Sequence, residues 1–386
     1  MDIALELLRA IGRLFLNPLL YIAIFMLIFL GYQRVKRERR FFKVRILGGW
    51  TELRLGISTL LLSLIISVIT VVVGIALPIQ FLAVLMLLSI IFLLAQLHKL
   101  LSPVILFILA TFVLIVLHMN NLQFSILDFE VAGLTFTARE IVSITLIAGV
   151  LLIAEALLIR KHAVEIASPV LERTKRGGRA VAYLSKGFWI LPVFIVVPGD
   201  IIPQIAPYFP QFGLGEEAFS LIVFPFIVGF KHMTRQTLPI NVYPQYSKGL
   251  LVLGQILIIG GIAGYFDTLI ASITLVVGTV LRIVMLIVVN IEQRKEQYAV
   301  VAKSTGTMIA EVLPNSPAEK MGLQAGEVIK RVNGKDVFNE RELYEALQIN
   351  AALCKLEVLD HQGELRLTQH VVHREDHHRI GVLLAE

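Results

Sequence analysis

Charge is scarce in this sequence. Asp, Glu, Lys and Arg supply 17% of its 386 residues and hydrophobic residues 56%, whereas an ordinary globular domain is roughly 25% charged. Mean hydropathy is +0.79. The apolar excess is gathered into long runs, which a soluble core does not require. The net charge of +6 comes from basic residues beside those runs, so membrane topology explains it better than nucleic acid does. The single cysteine, Cys354, excludes an intramolecular disulfide and a Cys-based zinc cluster.

Catalytic signatures are missing as well. An intramembrane zinc protease needs two histidines one helical turn apart with a glutamate as base. No His-Glu-x-x-His occurs, no histidine pair lies inside an apolar run, and no Gly-x-Ser-x-Gly segment is present. The soluble portion is too short for a serine-protease barrel. We therefore expect no enzyme, no catalytic residue and no cofactor. His361, His370, His373, His377 and His378, with Glu375 and Asp376, crowd the end of the chain. Such a strand-and-loop setting gives no dependable ligand geometry, so no metal site is expected there.

Long apolar runs are what the chain does have. A helix crosses a bilayer core with ~20 apolar residues, and 55–77, 79–97, 141–159, 249–266 and 269–290 qualify, with 103–117 shorter. Residues 3–16 have helical amphipathic spacing, and Asn17-Pro18 reads as an N-cap opening a first span that runs to Tyr32. The pieces 188–197 and 218–230 flank Pro198, Pro203, Pro207 and Pro210, and the expectation for them is two broken helices or a re-entrant pair. The reading is a polytopic α-helical membrane domain of about eight or nine spans over 1–295, followed by a small α+β domain over 296–386. The first apolar run is followed by Arg34, Lys36, Arg37, Arg39 and Arg40, so no cleavable signal peptide is expected.

Basic loops stay cytoplasmic. Two are rich in Lys and Arg, one from Arg34 to Arg54 and one from Arg160 to Lys186, while 119–138 and 198–217 contain neither residue. Four spans separate the basic loops, which puts both, and the C-terminal domain, inside and the N-terminus outside. Three charges lie in or beside the spans: Glu155, Asp200 and Arg282. Intramembrane ionisable groups are functional candidates. A transporter pathway would need all three to line one aqueous cavity; structural pairing or surface exposure is the plainer reading. The basic run at Arg34–Arg45 also suits anionic membrane lipid.

After Val300 the pattern turns to short alternating runs. Ser316-Pro317-Ala318-Glu319-Lys320-Met321-Gly322-Leu323, then Gly326-Glu327-Val328-Ile329 and Val332-Asn333-Gly334-Lys335-Asp336-Val337, resemble bacterial PDZ domains over roughly 303–386. Glu327 stands where that family commonly has aspartate. PDZ domains bind extended peptides, often C-termini, by strand addition beside a helix. The resemblance implies that Arg379-Ile380-Gly381-Val382, continuing into Leu383, forms the carboxylate loop and groove strand, with Tyr344 and Leu347 facing the groove from the helix. Lys303-Ser304-Thr305-Gly306 is the alternative loop.

A many-span N-terminal region, the early basic run and a terminal PDZ domain together resemble MinJ-type proteins of Gram-positive rod-shaped bacteria. That resemblance implies a cell-membrane adaptor at septum and poles. It would bridge a DivIVA-like polar scaffold and the MinD-like ATPase that recruits the division inhibitor MinC. A transporter-like protein and a PDZ regulator of a membrane protease are the alternatives.

Overall fold

The computed structural model describes residues 2–126, 129–174, 178–202, 219–293, 298–301, 306–350, 353–371 and 380–385. The N-terminal region is built from α1 (Asp2–Leu16), α2 (Pro18–Phe42), α3 (Thr51–Ile57), α4 (Leu60–Val73), α5 (Ile79–Leu94), α6 (Pro103–Met119), a small hairpin of β1 (Gln123–Ile126) and β2 (Phe129–Ala132), and α7 (Ala138–His162). There follow β3 (Ala167–Arg173), β4 (Arg179–Ile202), β5 (Phe219–Thr234), α8 (Pro239–Ala263) and α9 (Thr268–Glu292). Asn17 accepts from Leu19 N at 3.0 Å with Pro18 behind it, so α2 starts where the sequence caps it.

Among the described residues, five helical segments are long and apolar enough to cross a membrane: α2, the α3–α4 run over 51–73, α7, α8 and α9. The helices α5 and α6 are shorter, at 16 and 17 residues. In α1 the usual burial pattern is inverted. Glu6 and Ala10 face the protein while Leu8, Ile11 and Phe15 are exposed, as expected of a helix lying in an apolar interface.

The stretch 188–230 overturns the expectation of broken or re-entrant helices. It supplies β4 and β5, paired antiparallel from Tyr183↔Thr234 to Pro198↔Phe219. Both strands are rich in β-branched and aromatic residues, which fit a pleated surface. Pro192 and Pro225 are directly opposed, so both missing donors fall on one rung. The hairpin is the core of the region. Trp189, Leu191, Val193, Ile195, Phe226 and Val228 are buried in the same cluster as α2, α5, α6, α7 and α8 side chains.

A sheet among apolar helices must not leave its edges unpaired. Along the free edge of β4, Thr59 donates to Ile190 O at 2.6 Å, Thr70 donates to Phe194 O at 2.7 Å, and Ser67 accepts from Phe194 N at 3.0 Å. Leu77 N adds a bond to Val196 O at 3.0 Å. On the β5 edge, Arg13 donates to Leu221 O at 2.8 Å, and Leu101 O accepts from Gly229 N at 3.0 Å. The hydroxyls of α4 thus take the place of a missing strand.

The C-terminal region contains β6 (Val300–Val301), β7 (Thr307–Val312), α10 (Pro317–Lys320), β8 (Val328–Val332), β9 (Lys335–Asp336), α11 (Glu340–Gln348), β10 (Leu353–Leu359), β11 (Leu365–Val371) and β12 (Val382–Leu384). Its sheet runs β11-β10-β8-β7-β12, with β9 on β8. Ser316 caps α10 and Asn339 caps α11, and Asn333-Gly334 turns with φ of +51° and +83°. Ile309, Ala318, Ile329, Leu343, Ala346, Leu356 and Ile380 share one core.

The two regions are joined by more than the chain. β6 pairs with β4 rather than with the PDZ sheet. Tyr183 donates to Ala310 O at 2.5 Å, and Val181, Tyr183, Val300, Met308, Ala310 and Val328 form a buried cluster across the junction.

Candidate functional site

β12 is the last strand of its sheet, paired on one side with β7 through Val382↔Val312 and Leu383↔Glu311. Beyond its other side lies a cavity of about 370 Å³. Leu313, Glu340, Tyr344, Gly381, Val382, Leu383 and Leu384 line it from the PDZ region. An edge strand facing a helix across an open slot is the geometry that strand addition uses.

The opposite wall belongs to the membrane region. Phe41, Phe42 and Lys43, at the end of α2, with Val44 and Leu171 of β3, complete the cavity. Lys43 terminates α2 with φ of +59°, its N–H bonded to Arg39 O. These five residues carry no local signal of a binding role. Phe41-Phe42 reads as the tail of a span, and only the fold brings it to the groove.

Each residue singled out in the sequence has a distinct position. Gly381 has φ of +88°, and a Cβ there would meet Ser316 Cβ at 2.1 Å, so only glycine fits. Its carbonyl accepts from Leu313 N at 2.8 Å, and Ile380 O accepts from Ala318 N at 2.9 Å. These bonds tie the loop to the start of α10. The Ile380 side chain is 2% exposed and belongs to the domain core. Only its backbone is available to a groove. Val382, Leu383 and Tyr344 line the cavity, whereas Leu347 packs into the core cluster. Arg379 and Lys303–Thr305 lie outside the described residues, as do His373, Glu375, Asp376, His377 and His378. Among the described residues no three of His, Cys, Asp and Glu gather as metal ligands.

Part of the basic run proves to be internal. Arg34 is buried and bonds Glu52 at 2.6 Å, Glu38 at 3.0 Å and the carbonyls of Leu47 and Gly48. Glu38 in turn accepts from Ile46 N at 2.8 Å and from Ser168 at 3.0 Å. The network fastens the end of α2 to β3, which sets the groove's far wall.

Glu155 and Arg282 form a buried ion pair at 2.5 Å. Ser102 donates to Glu155 at 2.6 Å, and Arg282 also bonds Ser102 at 3.1 Å and Tyr246 at 2.6 Å. The two charges close on each other; the Asp200 side chain lies outside the described residues. Paired and hydrogen-bonded, Glu155 and Arg282 read as a cross-brace between α7 and α9.

Apolar membrane-length helices joined to a PDZ sheet define this chain as a membrane protein carrying a PDZ domain, and residues 308–359 match the PDZ domain family. The cell division topological determinant MinJ of Bacillus subtilis (strain 168) is 28% identical over 99% of this chain and 96% of its own length. The probable cell division topological determinant MinJ of Lacticaseibacillus paracasei is 27% identical over 63% of this chain and 65% of its own. The MinJ-type resemblance is thus borne out across the whole chain. Serine protease HTRA3 of Rattus norvegicus is 42% identical over 57 residues, 15% of this chain and 12% of its own. That similarity is confined to the PDZ domain.

Proposed function

We propose that the chain is a non-enzymatic membrane adaptor in division-site selection, recruiting cytoplasmic partners through the groove between β12 and α11. The observation that supports this most is the placement of the groove. The edge of β12, unpaired among the described residues, an aromatic-bearing helix and the end of α2 enclose one slot. A partner's C-terminal segment would add as a strand to β12, its apolar side chains against Leu383, Tyr344 and Phe42. The relatives' names supply the process, and the resemblance supplies the partners: a DivIVA-like polar scaffold and a MinD-like ATPase.

Orientation follows from charge. The ends of α2 and α7, with β3, carry the basic residues and lie on the same side as the PDZ region. Basic flanks stay inside, so the groove faces the cytoplasm and α1 lies at the outer surface. A clean deletion should give misplaced septa and elongated cells. Removing residues 300–386 should abolish partner recruitment while leaving the membrane region inserted. Cells of normal length with correctly placed septa after deletion would contradict the reading.

A further inference from the structure

The PDZ-side end of the hairpin carries a concentration of positive charge that the division-site reading does not use. Lys186 and Lys231 are directly opposed on β4 and β5, so their side chains leave the same face. Like charges in that position destabilise a sheet. Lys186 donates to the neutral Gln96 side chain at 2.7 Å, and Lys231 has no partner among the described residues. Arg37 of α2 adds its charge beside Lys186, and its Nε is buried without a hydrogen-bond partner. The carboxylates near Arg37, Glu38 and Glu52, are already bound to Arg34. His98, 1% exposed, lies within the field of both lysines. Its Nδ1 is 2.9 Å from Gln96 O, and its Nε2 is buried with no partner.

Among the described residues, these three cations and the buried ring nitrogen have no free carboxylate beside them, and what they lack is an anion. We propose that Lys186, Lys231, Arg37 and His98 bind a phosphate group, that of an anionic phospholipid headgroup at the membrane surface on the PDZ side. Position favours a lipid. Gly187 and Phe230, the next rung of the hairpin, begin the buried apolar stretch, so the lysines sit where headgroups meet hydrocarbon. Basic pockets between spans on the cytoplasmic side suit phosphate headgroups. Burial, with the two lysines, holds the His98 pKa down at about 4, so its imidazolium would form only with the phosphate bound, offering Nε2–H to the anion while Nδ1–H holds Gln96 O. A lipid there would also hold the hairpin and α2 together, beneath the groove wall.

The test uses the full chain in nanodiscs of phosphatidylcholine alone or with phosphatidylglycerol. Native mass spectrometry counts retained lipid, and thermal unfolding reports stability. The parent should retain phosphatidylglycerol and melt higher with it. Each lysine removed should weaken retention about fivefold, and the Lys186→Gln, Lys231→Gln double variant should show a reversal of sign. It should melt higher than the parent in phosphatidylcholine, because the repulsion is gone, and lower than the parent with phosphatidylglycerol. The Lys186→Arg, Lys231→Arg variant should bind as the parent does. Equal retention by the parent and the Gln variant, or a Gln variant weakened alike in both lipids, would overturn the proposal. Stabilisation by millimolar inorganic phosphate without phosphatidylglycerol, to the same extent as by the lipid, would overturn the lipid assignment and make the ligand a free phosphate.

Discussion

Single residues carry the most local consequences. Glu155 and Arg282 were visible in the sequence as charges inside apolar runs, but nothing in their spacing says that α7 and α9 bring them to 2.5 Å. Removing one member of a buried pair strands the other and costs about 3–5 kcal/mol. Arg282→Gln should therefore lower stability by that order in detergent unfolding, while Glu155→Leu with Arg282→Met should cost much less. Gly381 stands out in the sequence for its backbone, and its φ of +88° requires glycine, whereas the Ile380 side chain is buried in the domain core. The groove is therefore best tested at side chains that line the cavity. Ile380→Asp would place a charge in the PDZ core and unfold it. Tyr344→Asp and Leu383→Asp act on half-buried side chains at the cavity and should leave the domain folded, which circular dichroism checks.

At the scale of elements, the long helices were legible because length and continuous apolarity are enough to specify them. The hairpin was not. A short apolar run fits a buried strand or a buried helix equally well, and a membrane context argues for helix until the partner groups are seen. The deciding information lies elsewhere in the chain, in the Thr59, Ser67 and Thr70 hydroxyls that α4 aligns along β4. Each hydroxyl satisfies a backbone group that has no water to turn to. Ser67→Ala and Thr70→Val should each cost about 1–3 kcal/mol, the penalty for an unsatisfied buried polar group. Loss in thermal unfolding well below that range for both would mean that the β4 edge finds other partners. The PDZ elements were legible down to their caps and turn, since capping residues, glycine positions and Asn-Gly are local signals.

For the whole molecule, what the sequence concealed is the joint between its halves. β6 pairs with β4, Tyr183 reaches Ala310, and Arg235 binds Glu172 at 2.7 Å beside Tyr298. These contacts are long-range and have no motif. They also place Glu311 of β7 at the junction, where burial, with a smaller contribution from Glu38, pushes its carboxyl up to about 7. The sign follows. A carboxyl whose folded value lies above its ordinary 4.5 stabilises the folded junction at low pH, and that contribution is lost as pH rises through about 7. Protease susceptibility at the junction should rise as the pH goes from 4.5 to about 7, and Glu311→Gln should flatten the response.

The groove is a shared structure, walled by the PDZ sheet on one side and the end of α2 on the other, so recruitment should depend on both halves. The most direct measurement is co-purification from membranes of the full chain beside its Tyr344→Asp, Leu383→Asp variant, with folding of the variant verified. Division proteins, among them the DivIVA-like scaffold or the MinD-like ATPase, should be captured by the parent and lost by the variant. Capture of the same division proteins by both would contradict recruitment through the groove.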